Sequence, residues 1–338
     1  MNYSNRKTSP FPISYRRNEV KLPMKAAVIR KYGGPEVFHM EEVPEPSPAA
    51  GEIKIRMRAT SINPIDFKTR RGYLFFLSGF RFPKILCSDF SGVVEACGSN
   101  VTSFSPGDEV YGFTNGAAKG GGLAEALCCK ASIASRKPSG LSFEEAASIP
   151  LAASTAYQAL VHVGGLKPGM RVLVIGATGG VGHFAVQLAA IIGAQVTGVC
   201  RSSGESLARQ LGCSDIIAYD REDFRQTKVA SFDVIFDAAG KYGFWSCRKL
   251  LTHSGVYVTT VPGPSVMPAV ALTAAAKRKA RFVGANSNDR DLSLLRQWCE
   301  EGRLRPTIKA VFPLEETRQA YELAESGRTR GKVVIRTV

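Results

Sequence analysis

RVLVIGATGGVG, residues 171 to 182, is the stretch on which the fold turns. Val172 to Ile175 are consecutive apolar residues, three of them β-branched, which is the pattern of a strand buried on both faces. Directly after it, GGVGHFAVQLAAIIGA at 179 to 194 spaces its apolar residues as a helix does. A dinucleotide-binding turn makes three demands. The strand must end tightly, the backbone must approach a pyrophosphate with no Cβ in the way, and the next helix must sit close on the sheet. Gly179 and Gly182 take the second and third positions of G-x-G-x-x-G, with Ala177 at the first. N–H groups at the start of the helix, carrying partial positive charge, then hold the phosphates. The strand before and the helix after supply the context that a glycine pattern alone lacks.

Outward from this turn the alternation continues. QVTGVC (195–200), DIIAY (215–219), FDVIFDAAG (232–240) and GVYVTTV (255–261) read as strands, and SLARQLG (206–212) as a helix. Such alternation predicts right-handed βαβ units and a doubly wound parallel sheet over residues 147–288. Residues 24–146 have a different texture. KAAVIRKY, EIKIRMRATSI, SGVVEACG, DEVYGF and AEALCCKA are short β-rich runs separated by Gly, Pro, Asn and Ser, which predicts a β-dominated domain. A helix is expected around 143–162, interrupted near Pro150. The segment 289–338 mixes helix and strand and is expected to rejoin the first domain.

The 338 residues are 44% apolar and 22% charged, a globular composition. No uncharged apolar run approaches the roughly 18–20 residues of a membrane helix. Lys and Arg exceed Asp and Glu by 15, which suits an anionic ligand, an anionic membrane surface or nucleic acid. Those cations are scattered, and no basic and aromatic residues interleave as an RNA-binding motif requires, so nucleic acid is not expected. Residues 1–23 hold five Lys or Arg, one acid and several Ser, loosely like an organelle transit peptide. Pro10 and Pro12 oppose the helix such a signal needs, so a flexible leader and a cytoplasmic location are expected. Eight cysteines in a long chain without an apolar signal segment predict free thiols.

The second strand ends at Cys200 and continues Arg201-Ser202-Ser203, with no acid. An acid there binds a ribose 2′-hydroxyl and repels a 2′-phosphate, whereas a guanidinium and hydroxyls bind one, so NADP(H) is favoured over NAD(H). The four histidines, His39, His162, His183 and His253, share no ligand spacing with a cysteine. Cys128 and Cys129 are adjacent in a strand and point to opposite faces. No metal site is predicted.

Taken together, MKAAVIRKYGGPEVF, SINPIDFKTRRG (61–72), SGVVEACGSNVTSFSPGDEVYGF (91–113), EEAASIPLAASTAYQAL (144–160), GATGGVG (176–182) and RGKVVI resemble the zinc-independent, quinone oxidoreductase-like branch of the medium-chain dehydrogenase/reductase superfamily. The resemblance spans about residues 24–338 and implies a GroES-like β-barrel domain beside a Rossmann domain, with the ligand in the cleft between them. It implies hydride transfer from NADPH to a quinone or an α,β-unsaturated carbonyl, and a homodimer. Zinc-dependent relatives carry ligands where this chain has Asn63, Ser88-Asp89 and Leu151. Gly179, Gly180, Val181 and Gly182 match the pyrophosphate-binding turn, and Arg201, Ser202 and Tyr219 the 2′-phosphate pocket. Thr155 matches a contact near the nicotinamide, and Asn63 an asparagine that hydrogen-bonds a substrate carbonyl. The chain departs from the family at Arg201, where a later lysine is common, at Lys68, where some members have tyrosine, and at Cys87, where glycine is usual.

Hydride arriving at an enone creates an enolate, whose oxygen needs a donor. Asn63 offers a neutral donor and Lys68 a cationic one, unless Lys68 is simply solvated; Asp66 either orients the loop or caps its helix, or else takes a catalytic role. Tyr73, within YLFFLSGFRF (73–82), either lines an apolar substrate pocket or belongs to a core loop. Two other readings compete: an enoyl-thioester reductase, and an NADPH-sensing or RNA-binding protein built on a reductase-like fold.

Overall fold

The computed structural model describes residues 22–338 apart from 115–119, 227–230, 264–265 and 328. The leader expected at 1–23 lies almost wholly outside the described residues.

Six strands, Arg171–Ile175, Gln195–Cys200, Asp215–Ala218, Phe232–Asp237, Leu251–Thr259 and Lys279–Phe282, form one parallel sheet. Counted along the chain, they lie across it in the order 3-2-1-4-5-6. The central strand explains why its residues are uniformly apolar. Val172 and Val174 pack with Phe184, Ala185 and Leu188 on one face, and Leu173 and Ile175 pack with Val199, Ile217, Ile235 and Tyr257 on the other. Alternate side chains thus serve two separate cores, and each burial contributes roughly 1.5–3 kcal/mol. The strand order reverses beside this strand, which places a ligand crevice at its carboxyl end.

The tight turn differs from its expected form by one residue. Gly176, not Ala177, takes the left-handed conformation, with φ of +83°. A Cβ on Gly182 would stand 1.9 Å from the Gly176 carbonyl oxygen, so only glycine lets the Gly182–Ile192 helix start this close to the sheet.

A second, seven-stranded sheet is built on Glu52–Ser61, flanked by Asp89–Cys97, Glu109–Phe113, Ala126–Lys130 and Ala134–Arg136. Strands Ile308–Pro313 and Lys332–Arg336 extend it from the end of the chain, with Val334 paired to Ser61. Pro23–Ile29, Phe38–Pro44 and Lys84–Ile85 form a three-stranded sheet. In Glu52–Ser61, Ile53, Ile55, Met57 and Ala59 point into a core, and then the alternation stops at Thr60 and Ser61, both buried and polar. That break marks the site.

The helix expected at 143–162 is Phe143–Ala147, capped by Ser142 and Glu145, followed by Pro150–Tyr157 and a wider turn through Val163. All eight cysteines are free thiols, with Cys129 buried and the adjacent Cys128 half-buried.

Candidate active site

After Ser61 the chain leaves the sheet and starts the helix Pro64–Arg70, with Asn63 as its N-cap. Asp66 accepts from the Asn63 backbone N–H at 2.8 Å, satisfying a donor the helix cannot. Of the two readings of Asp66, the cap is the one the geometry supports.

The Asn63 side chain is clamped at both ends. Its Nδ2 donates to Asp89 Oδ2 at 2.7 Å and to the Ser61 carbonyl at 3.3 Å, while its Oδ1 accepts from Lys332 Nζ at 2.6 Å. An ammonium only donates and a carboxylate only accepts, so these two neighbours fix which way the amide faces. Asp89 also accepts from Ser61 Oγ at 2.5 Å and from the Leu151 backbone N–H at 2.8 Å. The latter N–H lies in the first turn of the Pro150–Tyr157 helix, where a carboxylate is favoured. Lys332 Nζ donates to the Ile62 carbonyl at 3.0 Å and lies 3.7 Å from Asp89 Oδ2. Asn63 and Lys332 are each 3% exposed and Asp89 0%. Burial pushes the Lys332 ammonium below the ordinary lysine range, against the pull of Asp89 and Asp66. Burial likewise pushes the Asp89 carboxyl up, opposed by Lys332 and the donors around it. Asp66, also buried, is raised to about 7.

The same C-terminal segment touches the glycine turn. Gly331 donates its N–H to the Thr178 carbonyl at 3.0 Å, and a Cβ on Gly180 would meet the Lys332 stem at 3.4 Å. Buried His183 ties the turn to the tail. Its Nε2 accepts from the Thr307 N–H at 3.2 Å, which leaves Nδ1 as the donor to the Gly179 carbonyl at 2.9 Å. Burial holds its pKa down at about 4, so the ring stays neutral. Gly179, Gly180 and Val181 remain partly open to solvent while Gly182 is buried, as a turn that cradles phosphates and seats a helix requires.

At the carboxyl ends of the neighbouring strands stand Arg201, Ser202 and exposed Tyr219. Here the fold brings in an acid from a neighbouring strand. The second strand ends without an acid, but Asp220, from the end of the third, lies beside it. Asp220 accepts from the Ser202 N–H and Oγ, both at 2.7 Å, and sits 3.8 Å from Arg201 Nε. Those Ser202 hydrogen bonds hold its carboxyl below the usual range. A further cation, Arg330, reaches the Ser203 carbonyl at 2.6 Å.

Among the described residues, the remaining candidates make no hydrogen bond to Asn63, Asp89 or Lys332. Thr155 is buried, its hydroxyl donating to the Leu151 carbonyl at 2.6 Å one turn back. Lys68 is half-buried, its ammonium with no hydrogen-bond or ion-pair partner among the described residues, and burial lowers its pKa. Tyr73 is exposed, not part of a core.

Comparison with known proteins matches residues 49–139 to the family "Alcohol dehydrogenase GroES-like domain" and residues 211–335 to "Zinc-binding dehydrogenase". A chloroplastic quinone oxidoreductase, QR1, of Triphysaria versicolor is 32% identical, over 92% of this chain and 98% of its own. The mitochondrial NAD(P)H oxidoreductase RTN4IP1 of Bos taurus is 34% identical, over 93% and 89%. The solved quinone oxidoreductase of Coxiella burnetii superposes with a TM-score of 0.88 at 32% identity, covering 94% of this chain and all of that one. The chain belongs to the quinone oxidoreductase-like branch of the medium-chain dehydrogenase/reductase superfamily. It is therefore an oxidoreductase of a family that binds a nicotinamide dinucleotide, with a GroES-like domain beside the parallel sheet.

One of those family descriptions names zinc, and the residues of this member do not fit it. At the positions that the resemblance assigns to zinc ligands, the Asn63 side chain is bound to Lys332 and Asp89, and Leu151 brings an aliphatic side chain. Among the described residues no three His, Cys, Asp or Glu side chains converge on a possible metal position. What stands there is a buried ammonium. Lys332, Asp220 and His183 were not singled out from the sequence. Only RGKVVI hinted at the first, and nothing local to any of them announces its partner.

Proposed function

We propose that this oxidoreductase is NADPH-dependent and zinc-independent, and reduces a quinone or an α,β-unsaturated carbonyl. One observation carries the reading: Lys332 packs its stem on the phosphate-binding turn and places its ammonium on Asn63. The nicotinamide dinucleotide, when bound, supplies the hydride. Gly179, Gly180, Val181 and Gly182 would hold its pyrophosphate, with Thr155 toward the nicotinamide end.

The charge that develops during reduction lies on the acceptor's oxygen. Lys332 withdraws electron density from the amide through Oδ1 and so strengthens Nδ2–H as a donor. Asp89 keeps Nδ2 aimed. Its long 3.3 Å contact to the Ser61 carbonyl is the weaker of the two Nδ2 bonds and the one a substrate oxygen replaces. Lys68 supplies a second, unpartnered cation, and solvent delivers the final proton. No side chain acts as a nucleophile.

Arg201, Arg330 and Tyr219 favour a 2′-phosphate, with Asp220 as a local brake on that preference. The test is NADPH oxidation against a panel of quinones, alkyl enones, alkenals and enoyl-CoA. Turnover with a quinone or an enone is expected. Selective turnover of enoyl-CoA would move the assignment to thioesters, and a flat response to every acceptor would remove it.

A further inference from the structure

Arg71 to Lys84 form a tip of unusual composition at the surface. Tyr73, Phe75, Phe76, Leu77 and Phe80 are 47 to 71% exposed, although each is large and apolar. Fully open, such side chains present roughly 150–250 Å² each, so together they expose on the order of 500 Å². That reaches the upper range of the largest apolar patch on an ordinary monomer and calls for an occupant.

The tip has a held shape. The Phe75–Ser78 turn is fastened to Tyr32, whose hydroxyl bonds Ser78 Oγ at 2.9 Å and the Gly79 carbonyl. Lys84 Nζ donates to the Ser78 carbonyl at 2.6 Å and lies over the Phe82 ring at 5.0 Å. The Phe75 ring meets Phe76 at 6.0 Å and Phe80 at 5.5 Å, while Phe80 meets Tyr32 at 6.2 Å. Three phenylalanines thus form one connected apolar surface.

Charge around it is mostly positive. Arg70 and Arg71 share Glu325. Lys31, Lys68, Arg81 and Lys84 have no acidic partner among the described residues, and Asp66, the acid within 65–84, is buried in its cap. Aromatic tips framed by lysine and arginine are the composition that settles at an anionic bilayer interface. A second copy is a poorer occupant, because a two-fold contact would set these cations against themselves.

We propose that the 71–84 tip docks this chain on an anionic lipid surface, its rings entering the headgroup boundary and its cations pairing with the headgroups. The contact proposed is a peripheral one, and no helix of the described residues is long and apolar enough to cross a membrane. The inference stands on this surface alone and holds whichever acceptor the enzyme reduces.

The experiment is co-sedimentation of the full chain with phosphatidylcholine vesicles, with and without phosphatidylglycerol, at low and high salt. Wild type is compared with Phe76→Ser/Leu77→Ser/Phe80→Ser and with Lys31→Glu/Arg81→Glu, each first shown to melt as wild type does. Wild type should bind the anionic vesicles and release in high salt. The apolar variant should bind at least about tenfold more weakly, and the charge variant should lose its preference for anionic lipid. Absence of wild-type binding overturns the proposal, as does undiminished binding by the apolar variant, which would place the contact elsewhere on this basic chain. Dissociation of a wild-type dimer by the apolar variant, seen in sedimentation velocity without vesicle binding, would make the patch an interface between copies and overturn it equally.

Discussion

At the scale of single residues, Lys332 is the group whose removal should be most informative. Lys332→Met takes the charge off Asn63 Oδ1, and a loss of about 10–100-fold in kcat is expected with a smaller change in KM. It also strands Asp89 in the interior, which can cost about 3–5 kcal/mol of stability. The double variant Lys332→Met/Asp89→Asn separates the two effects, since it should melt nearer wild type yet stay slow. Lys332→Arg keeps a cation that does not titrate. Because burial lowers the Lys332 pKa, wild-type activity should fall on the alkaline side earlier than an ordinary lysine would allow, and the arginine variant should shift that limb upward. A pH–rate profile reads both. Cofactor choice is also set residue by residue. Arg201→Ala or Arg330→Ala should lower kcat/KM for NADPH about tenfold or more with little change for NADH, while Asp220→Asn should raise the NADPH preference. Equal effects on both cofactors would exclude a 2′-phosphate role. Asn63 was legible because it precedes a proline at a helix start within a recognisable motif. Lys332 was not, because 269 residues separate it from its partner. Asp220 escaped for a related reason: parallel strands bring side by side ends that the sequence keeps apart.

At the scale of elements, the helix Pro64–Arg70 carries a pH-dependent cap. Asp66 is raised by burial to about 7, so between the unfolded carboxylate's pKa and about 7 the folded state binds the extra proton. Stability should therefore be highest at acid pH as far as this group is concerned, decline as pH climbs from about 4 to 7, and level off above. Asp66→Asn keeps an oxygen for the Asn63 N–H and removes the titration, so its melting temperature should lose that slope. Chemical denaturation at several pH values checks it, and an unchanged slope would show that Asp66 ionises freely in the folded state. Strands and long helices were the readable elements, since their apolar periodicity is local. Gly176 shows where that legibility stops: glycine spacing marks the turn, but which residue adopts positive φ depends on the helix start that Gly182 permits.

At the scale of the whole molecule, the doubly wound sheet was plain from its alternation, and its 3-2-1-4-5-6 order follows from short right-handed connections. The path of the tail matters most for function. By pairing Lys332–Arg336 with Glu52–Ser61 inside the seven-stranded sheet, the fold puts one lysine against both the glycine turn and the Asn63 amide. The net charge of +15 is distributed, with Arg201 and Arg330 around Ser203 beyond the second strand of the parallel sheet and a cationic frame around the apolar tip. The central claim is that reduction proceeds in a site polarised by a buried ammonium instead of a metal. Its most direct test is steady-state reduction of the best quinone or enone by NADPH, using protein stripped with a strong chelator and then supplied with zinc. Full turnover after stripping, with no gain on adding zinc, is the predicted result; activity lost with the chelator and restored by zinc would contradict it.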